Sequence, residues 1–236
     1  LDELRTRIIV SAAVLAVAVG LCFWQNGLLL EIANGPLPGD REPITFGVTE
    51  PFLTTVKLSA YAGIVLALPV ILYQVWRFVL PGLHDREVRY GRGFVLAGTI
   101  FFLLGAAFCY FVALPYGFPF FLSEYERIGV TPNIRINEYL AFTSRMLLAF
   151  GVIFEMPVAT FFLARVGIVS QAFLVHYARH AIVVIFVVAA ILTPPDAASQ
   201  MLMAIPLLLL YGLSIGVAYV FYKPRMAEES EAAEAG

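Results

Sequence analysis

The stretch FGVIFEMPVATFFLARVG, Phe150–Gly167, decides the reading of this chain: it is almost wholly apolar, yet Glu155 stands near its middle. A run of this kind reads as a helix in lipid. An ionised carboxylate at mid-depth in a bilayer costs at least about 2.5 kcal/mol. Glu155 is therefore expected to face a cavity or a partner, or to be protonated, and a functional role is the default reading. The bland alternative is a buried, protonated Glu hydrogen-bonded to a neighbouring helix.

The rest of the chain is of the same kind. Of 236 residues, 61% are hydrophobic and 14% charged, where a soluble domain carries about 25% charged residues. Six apolar segments are expected to be membrane helices: residues 8–30, 52–79, 94–114, 139–164, 178–192 and 201–221. Four reach the ~20 residues that cross a bilayer core, and the sixth just does. The fifth is closed by Arg179 and His180 on one side and Thr193-Pro194-Pro195-Asp196 on the other. It offers roughly 18 Å of apolar helix against a core of about 30 Å. The connection to the sixth is very short, which predicts a tight antiparallel hairpin of two short last helices.

Pro51 suits the first turn of the second helix, and Pro115 is expected to end the third. Pro69, Pro157 and Pro206 fall inside apolar segments. They predict kinks and hence a concave, glove-like bundle. Ten Lys and Arg lie on the side of the N-terminus, among them Arg5, Arg7, Arg77 and Arg92, against Arg41, Arg127 and Arg135 opposite. Both termini are accordingly expected in the cytoplasm. Residues 1–222 form one membrane domain in this reading. Residues 223–236 form an acidic tail expected to be disordered. The connections 31–51 and 115–138 are expected to cap the outer surface with short helices rather than strands. There is no internal repeat.

Several chemistries lack their signatures. The chain has no G-x4-G-K-[ST] loop and no H-E-x-x-H, and His84, His176 and His180 fall near the cytoplasmic surface. Cys22 and Cys109 read as small core residues. No cofactor, metal or nucleic acid is expected, and no Ser–His or Ser–Lys spacing argues for an intramembrane protease. The polar groups inside apolar runs are few. Gln74 reads as a functional polar group or as interhelical packing, Gln200 as a polar handle or a helix-start residue, while snorkelling explains Lys57 and Arg145. Cytoplasmic carboxylates are scarce. Glu3 stands four residues before Arg7, and Glu87 suits a helix's first turn. Together these two suit a ligand that carries arginines beside an apolar stretch, because guanidinium binds carboxylate bidentately.

The motifs LDELRTR, TEPFLTTVKLS, LALPVILYQVWRFVLPGLHDRE, FGVIFEMPVA, ILTPPDAASQ and MLMAIPLLLLY, spread from Leu1 to Tyr211, resemble the TatC family. This is the multispanning core subunit of the twin-arginine protein translocase. The resemblance implies a receptor and scaffold in the inner membrane of a prokaryote. It would bind twin-arginine signal peptides and assemble with single-span TatB- and TatA-like subunits in a multimeric complex. Folded cargo would then cross at the expense of the proton gradient. It implies signal-peptide binding at Glu3 and Glu87, with Arg5 and Arg89 beside them. It further implies a membrane site for a partner or signal at Glu155, with Gln74, Asp196 and Gln200 as matching polar positions. A proton-coupled small-molecule transporter with Glu155 as proton carrier is the alternative. Such a protein is expected to show repeats and several midplane polar groups.

Overall fold

The computed structural model describes residues 2–37, 44–45, 47–79, 91–129, 133–193 and 197–222. Among these the chain is helical, apart from one isolated parallel β-bridge between Ile44 and Arg135. The elements are α1 (Asp2–Trp24), α2 (Asn26–Asn34), α3 (Glu50–Val79), α4 (Gly91–Phe108), a π turn (Cys109–Ala113), α5 (Leu114–Arg127), α6 (Ile136–Arg165), α7 (Gln171–His176), α8 (Ala178–Leu192) and α9 (Ala197–Phe221).

Among the described residues, five stretches are long and apolar enough to cross a bilayer: residues 4–24, 50–75, 93–123, 136–165 and 203–221. Helices are the expected solution, because lipid offers no partner to an unsatisfied backbone group. The fifth expected span, α8, has 15 residues, about 22 Å of helix. It falls short of a full crossing.

Some sequence expectations need correction. Pro115 does not end the third helix: α4 passes through the π turn into α5, which contains both Pro115 and Pro119 and runs to Arg127. Pro115 is the second residue of α5, where a missing N–H costs least, and the wider π turn just before it absorbs the change in hydrogen-bond register. The first apolar run is also not one helix, since Gln25 separates α1 from α2. The 31–51 connection includes a strand-like pairing. Ile44 N–H donates to Ile134 O at 2.9 Å and Ile136 N–H to Ile44 O at 3.1 Å, tying it to the segment before α6. α3, α6 and α9 continue helical through Pro69, Pro157 and Pro206. The expected disorder of 223–236 falls outside the described residues.

α6 ends on a local signal. Gly167 adopts φ +76°, Gly167 N–H donates to Ala164 O and Ile168 N–H to Leu163 O. This Schellman arrangement needs a residue that tolerates the left-handed region, hence glycine. Ser170 then caps α7 by accepting from Phe173 N–H at 3.1 Å.

α1 packs along α3, α4 along α6, and α6 against α9, with α8 paired to α9. One apolar cluster joins Cys109, Leu114, Met146, Phe150, Ala189 and Leu207 where the π turn and the start of α5 meet α6, α8 and α9. A second, around Ala33, Leu58, Tyr139 and Leu140, sits where α2 covers α3 and α6. The α4–α6 seam is close because glycines face bulk: Gly105 lies against Phe150 and Phe154, and Gly151 against the fully buried Phe102.

Candidate functional site

Glu155 lies on α6, ten residues before its end at Arg165. Its carboxylate rests on bare backbone. A Cβ placed on Gly98 of α4 would stand 2.9 Å from Glu155 Oε2, 3.3 Å from Oε1 and 2.9 Å from Leu72 Cδ1 of α3. Three helices thus meet at this acid. Oε1 is buried and has no hydrogen-bond partner among the described residues. A buried polar atom left without a partner costs about 1–3 kcal/mol.

The acid continues the line of a groove. A cavity of about 700 Å³ opens among α2, α3, α4 and α6, with Val65, Ala106, Ser144 and Leu148 in its walls. Val65 and Leu72 are seven residues apart on α3, as are Leu148 and Glu155 on α6. Seven residues make close to two helical turns, about 10 Å. The same two helix faces that wall the groove therefore present Leu72 and Glu155 beyond its far end.

The near end of the groove is closed by α2, and hydroxyls hold it there. Tyr110 OH donates to Ile32 O at 2.9 Å, and Tyr139 OH donates to Ala33 O at 2.7 Å. Helix C-terminal carbonyls have no partner within their own helix; Ile32 O also accepts from Gly35 N–H at 3.2 Å, and the two tyrosines tie these carbonyls to other elements. Beyond α2, Arg135 lies 3.6 Å from Glu50 and 3.0 Å from Glu138. Lys57 Nζ donates to Asn137 Oδ1 at 3.2 Å, and Thr54 Oγ1 approaches the same oxygen at 3.4 Å. Lys57 therefore binds α3 to α6 rather than only reaching for the membrane surface. Arg145 Nε returns to its own helix, donating to Ala141 O at 3.0 Å.

The remaining candidates are not gathered at Glu155. Gln74 lines a separate cleft between α1 and α3, where Arg7 Nη1 donates to its main-chain oxygen at 3.4 Å. Gln74 is two residues after Leu72, a rotation of about 200° on a helix, so it turns away from the acid. Gln200 Nε2 donates to Phe186 O at 2.9 Å and joins α9 to α8. Glu3 and Arg5 belong to the first turn of α1, with Arg5 exposed. Glu87, Arg89 and Asp196 lie outside the described residues. Among the described residues no three His, Cys, Asp or Glu form a metal cluster, and Cys22 and Cys109 are free thiols. Sequence reasoning missed Gly98, Tyr110 and Tyr139. Glycine inside an apolar helix was the available signal for Gly98, but α4 also carries Gly91, Gly93 and Gly105 and the signal did not single it out. The tyrosines carried no local signal.

Comparison with known proteins adds the following. The family described as "Sec-independent protein translocase protein (TatC)" matches residues 1–206. The TatC of Desulforapulum autotrophicum is 41% identical, covering 99% of this chain and 88% of that protein. The TatC of Campylobacter jejuni is 41% identical over 91% of this chain and 90% of that protein. A crystal structure of the "Twin Arginine Translocase Receptor- TatC" superimposes with a TM-score of 0.84 at 37% identity, covering 92% of this chain and 97% of that one. A second, of the same receptor in the detergent DDM, gives 0.85 at 37% identity, with 92% and 98% covered.

Proposed function

The chain belongs to the TatC family of Sec-independent protein translocases, and from that premise we propose that it is the receptor and scaffold for twin-arginine signal peptides. It is a membrane-embedded translocase component and not an enzyme. In the proposed arrangement the chain passes the inner membrane of a prokaryote six times with both termini in the cytoplasm, and in the last hairpin α8 is short while α9, with 25 residues, is not, against the sequence expectation of two short helices. Glu3 and Glu87 take the two signal arginines at the cytoplasmic surface, with Arg5 and Arg89 ordering that site. The apolar groove takes an apolar helical segment, and Glu155 meets a polar group that it brings. TatB- and TatA-like single-span subunits dock on the α8–α9 side, near Asp196 and Gln200. Folded cargo then crosses under the proton-motive force.

The observation that carries this reading is the buried, unpartnered carboxylate oxygen of Glu155, two helical turns along α6 from Leu148 in the wall of an apolar groove. An acid held this way is stabilised by whatever polar group arrives, because the penalty of leaving it unpaired is removed on binding. The name of the superimposing structure, a twin-arginine translocase receptor, agrees with it. Photocrosslinkers at positions 3, 87, 155 and 200, with and without a signal peptide and the single-span subunits, test the scheme. Positions 3 and 87 should capture the arginine region, position 155 the apolar segment or a partner helix, and position 200 a partner helix. Unchanged crosslinking of a Glu3→Ala/Glu87→Ala double variant to a twin-arginine peptide would overturn the arginine site.

A further inference from the structure

We propose that Gly98 is the positioning residue for the intramembrane carboxylate. The gap left by its missing side chain is the seat in which Glu155 is held between α4 and α6. This inference rests on the reading of Glu155 given above and deepens it.

Contacts of a real Cβ at less than 3.0 Å essentially do not occur, and at Gly98 a Cβ would meet Glu155 Oε2 and Leu72 Cδ1, each at 2.9 Å. The neighbours are side-chain tips, not backbone. Gly98 therefore differs from the other seam glycines of α4 and α6. Gly105 faces the Phe150 carbonyl and the Phe154 ring, and Gly151 faces the Phe102 ring, so those two serve helix approach. Gly98 makes room for a functional group. Filling that room leaves α4 where it is and drives the carboxylate out of its seat, toward the groove or toward lipid. A flexible acid in an apolar wall would otherwise lie in any of several rotamers, and long side chains lose much entropy when fixed. The notch, with Leu72 as its side wall, selects one of them without forming a hydrogen bond to Oε1, so its capacity to accept a bond from a ligand is kept.

The test uses Gly98→Ala, Glu155→Asp, the Gly98→Ala/Glu155→Asp double and the Gly98→Ala/Leu72→Ala double in the full chain. Gly105→Ala, alone and with Glu155→Asp, is the packing control. The first readout is export of a twin-arginine cargo. The second is the rate at which purified protein in detergent is labelled at Glu155 by dicyclohexylcarbodiimide, an apolar reagent for carboxyl groups, followed by mass spectrometry. Gly98→Ala should lower export and change the labelling rate, each about tenfold, as expected of one overpacked methyl. Shortening the acid by one methylene in the Gly98→Ala/Glu155→Asp double should restore both toward the Glu155→Asp values, a coupling that packing glycines lack. Glu155→Asp should not rescue Gly105→Ala. If Gly98→Ala fails to fold, recovery of folded protein in the Glu155→Asp double supports the proposal equally, and its absence overturns it. Unaltered labelling in Gly98→Ala, or rescue by Leu72→Ala and not by Glu155→Asp, overturns it too. If Glu155→Ala exports normally, the functional reading of the acid fails, while the labelling comparison still decides whether Gly98 seats it.

Discussion

Replacing Glu155 by methionine should make the isolated protein more stable and the translocase worse. Met is close to Glu in length and shape and carries no group that needs a partner. Glu155 Oε1 is buried with no hydrogen-bond partner among the described residues, and its neighbours are the Leu72 tip and the Gly98 backbone. Removing an unpartnered buried acceptor returns about 1–3 kcal/mol. An acid at depth in lipid costs at least a similar ~2.5 kcal/mol, whether ionised or neutralised at the expense of a proton. These are two views of one penalty and do not add. The expected gain for Glu155→Met is about 1–3 kcal/mol on that basis. Glu155→Gln keeps a polar group in place and should gain less. The assay is reversible unfolding in mixed dodecylmaltoside–dodecylsulfate micelles, followed by loss of helicity, alongside cargo export by the same variants. Export should fall in Glu155→Met although the protein is sturdier. If Glu155→Met were less stable than the parent by about 1 kcal/mol or more, the carboxylate would have a satisfying partner, and the argument from an unpaired acid would be refuted.

Other substitutions probe the framework around the site. Tyr139→Phe removes the donor to the Ala33 carbonyl, so amide exchange at the end of α2 should speed up about tenfold for a loss of about 1–2 kcal/mol. Equal exchange would show that α2 is held by other means. Gly167→Ala forces a Cβ into φ +76° and should lower unfolding stability by about 1–2 kcal/mol. Gly212→Ala in α9, with nothing within 4 Å of the added Cβ, should instead be neutral or stabilising by up to about 1 kcal/mol. Gln200→Leu removes the bond to the Phe186 carbonyl and should cost about 0.6–1.7 kcal/mol, read as faster amide exchange in α8 with α1–α6 unaffected.

The positions of the helices were legible along the chain because lipid leaves an apolar run of sufficient length one way to satisfy its backbone. The expected 52–79, 139–164 and 201–221 became Glu50–Val79, Ile136–Arg165 and Ala197–Phe221. The short α8 was legible in the same way from the charged and proline-rich residues around it. Pro115 was misread because a proline's effect depends on whether the preceding turn can change register, and the π turn at Cys109–Ala113 does so. The pairing of Ile44 with Arg135 joins residues 91 positions apart, and nothing local encodes it. The same holds for the tyrosine hydroxyls that hold α2.

By itself the sequence determined the helical membrane class, the approximate span limits, the family motifs and the presence of one costly acid in an apolar wall. The tertiary structure decided which way each residue faces. That could not be read beforehand, because in lipid both the helix neighbours and the surroundings are apolar, so hydrophobicity does not mark an inward face as it does in water. Gln74 and Glu155 look alike in the sequence as lone polar groups, and only the packing of α3 sends one toward α1 while Leu72 turns toward the other. The seat for the acid is likewise a property of two helices in contact: it is made of an atom that α4 lacks at Gly98, and it exists only where α6 lays Glu155 across it.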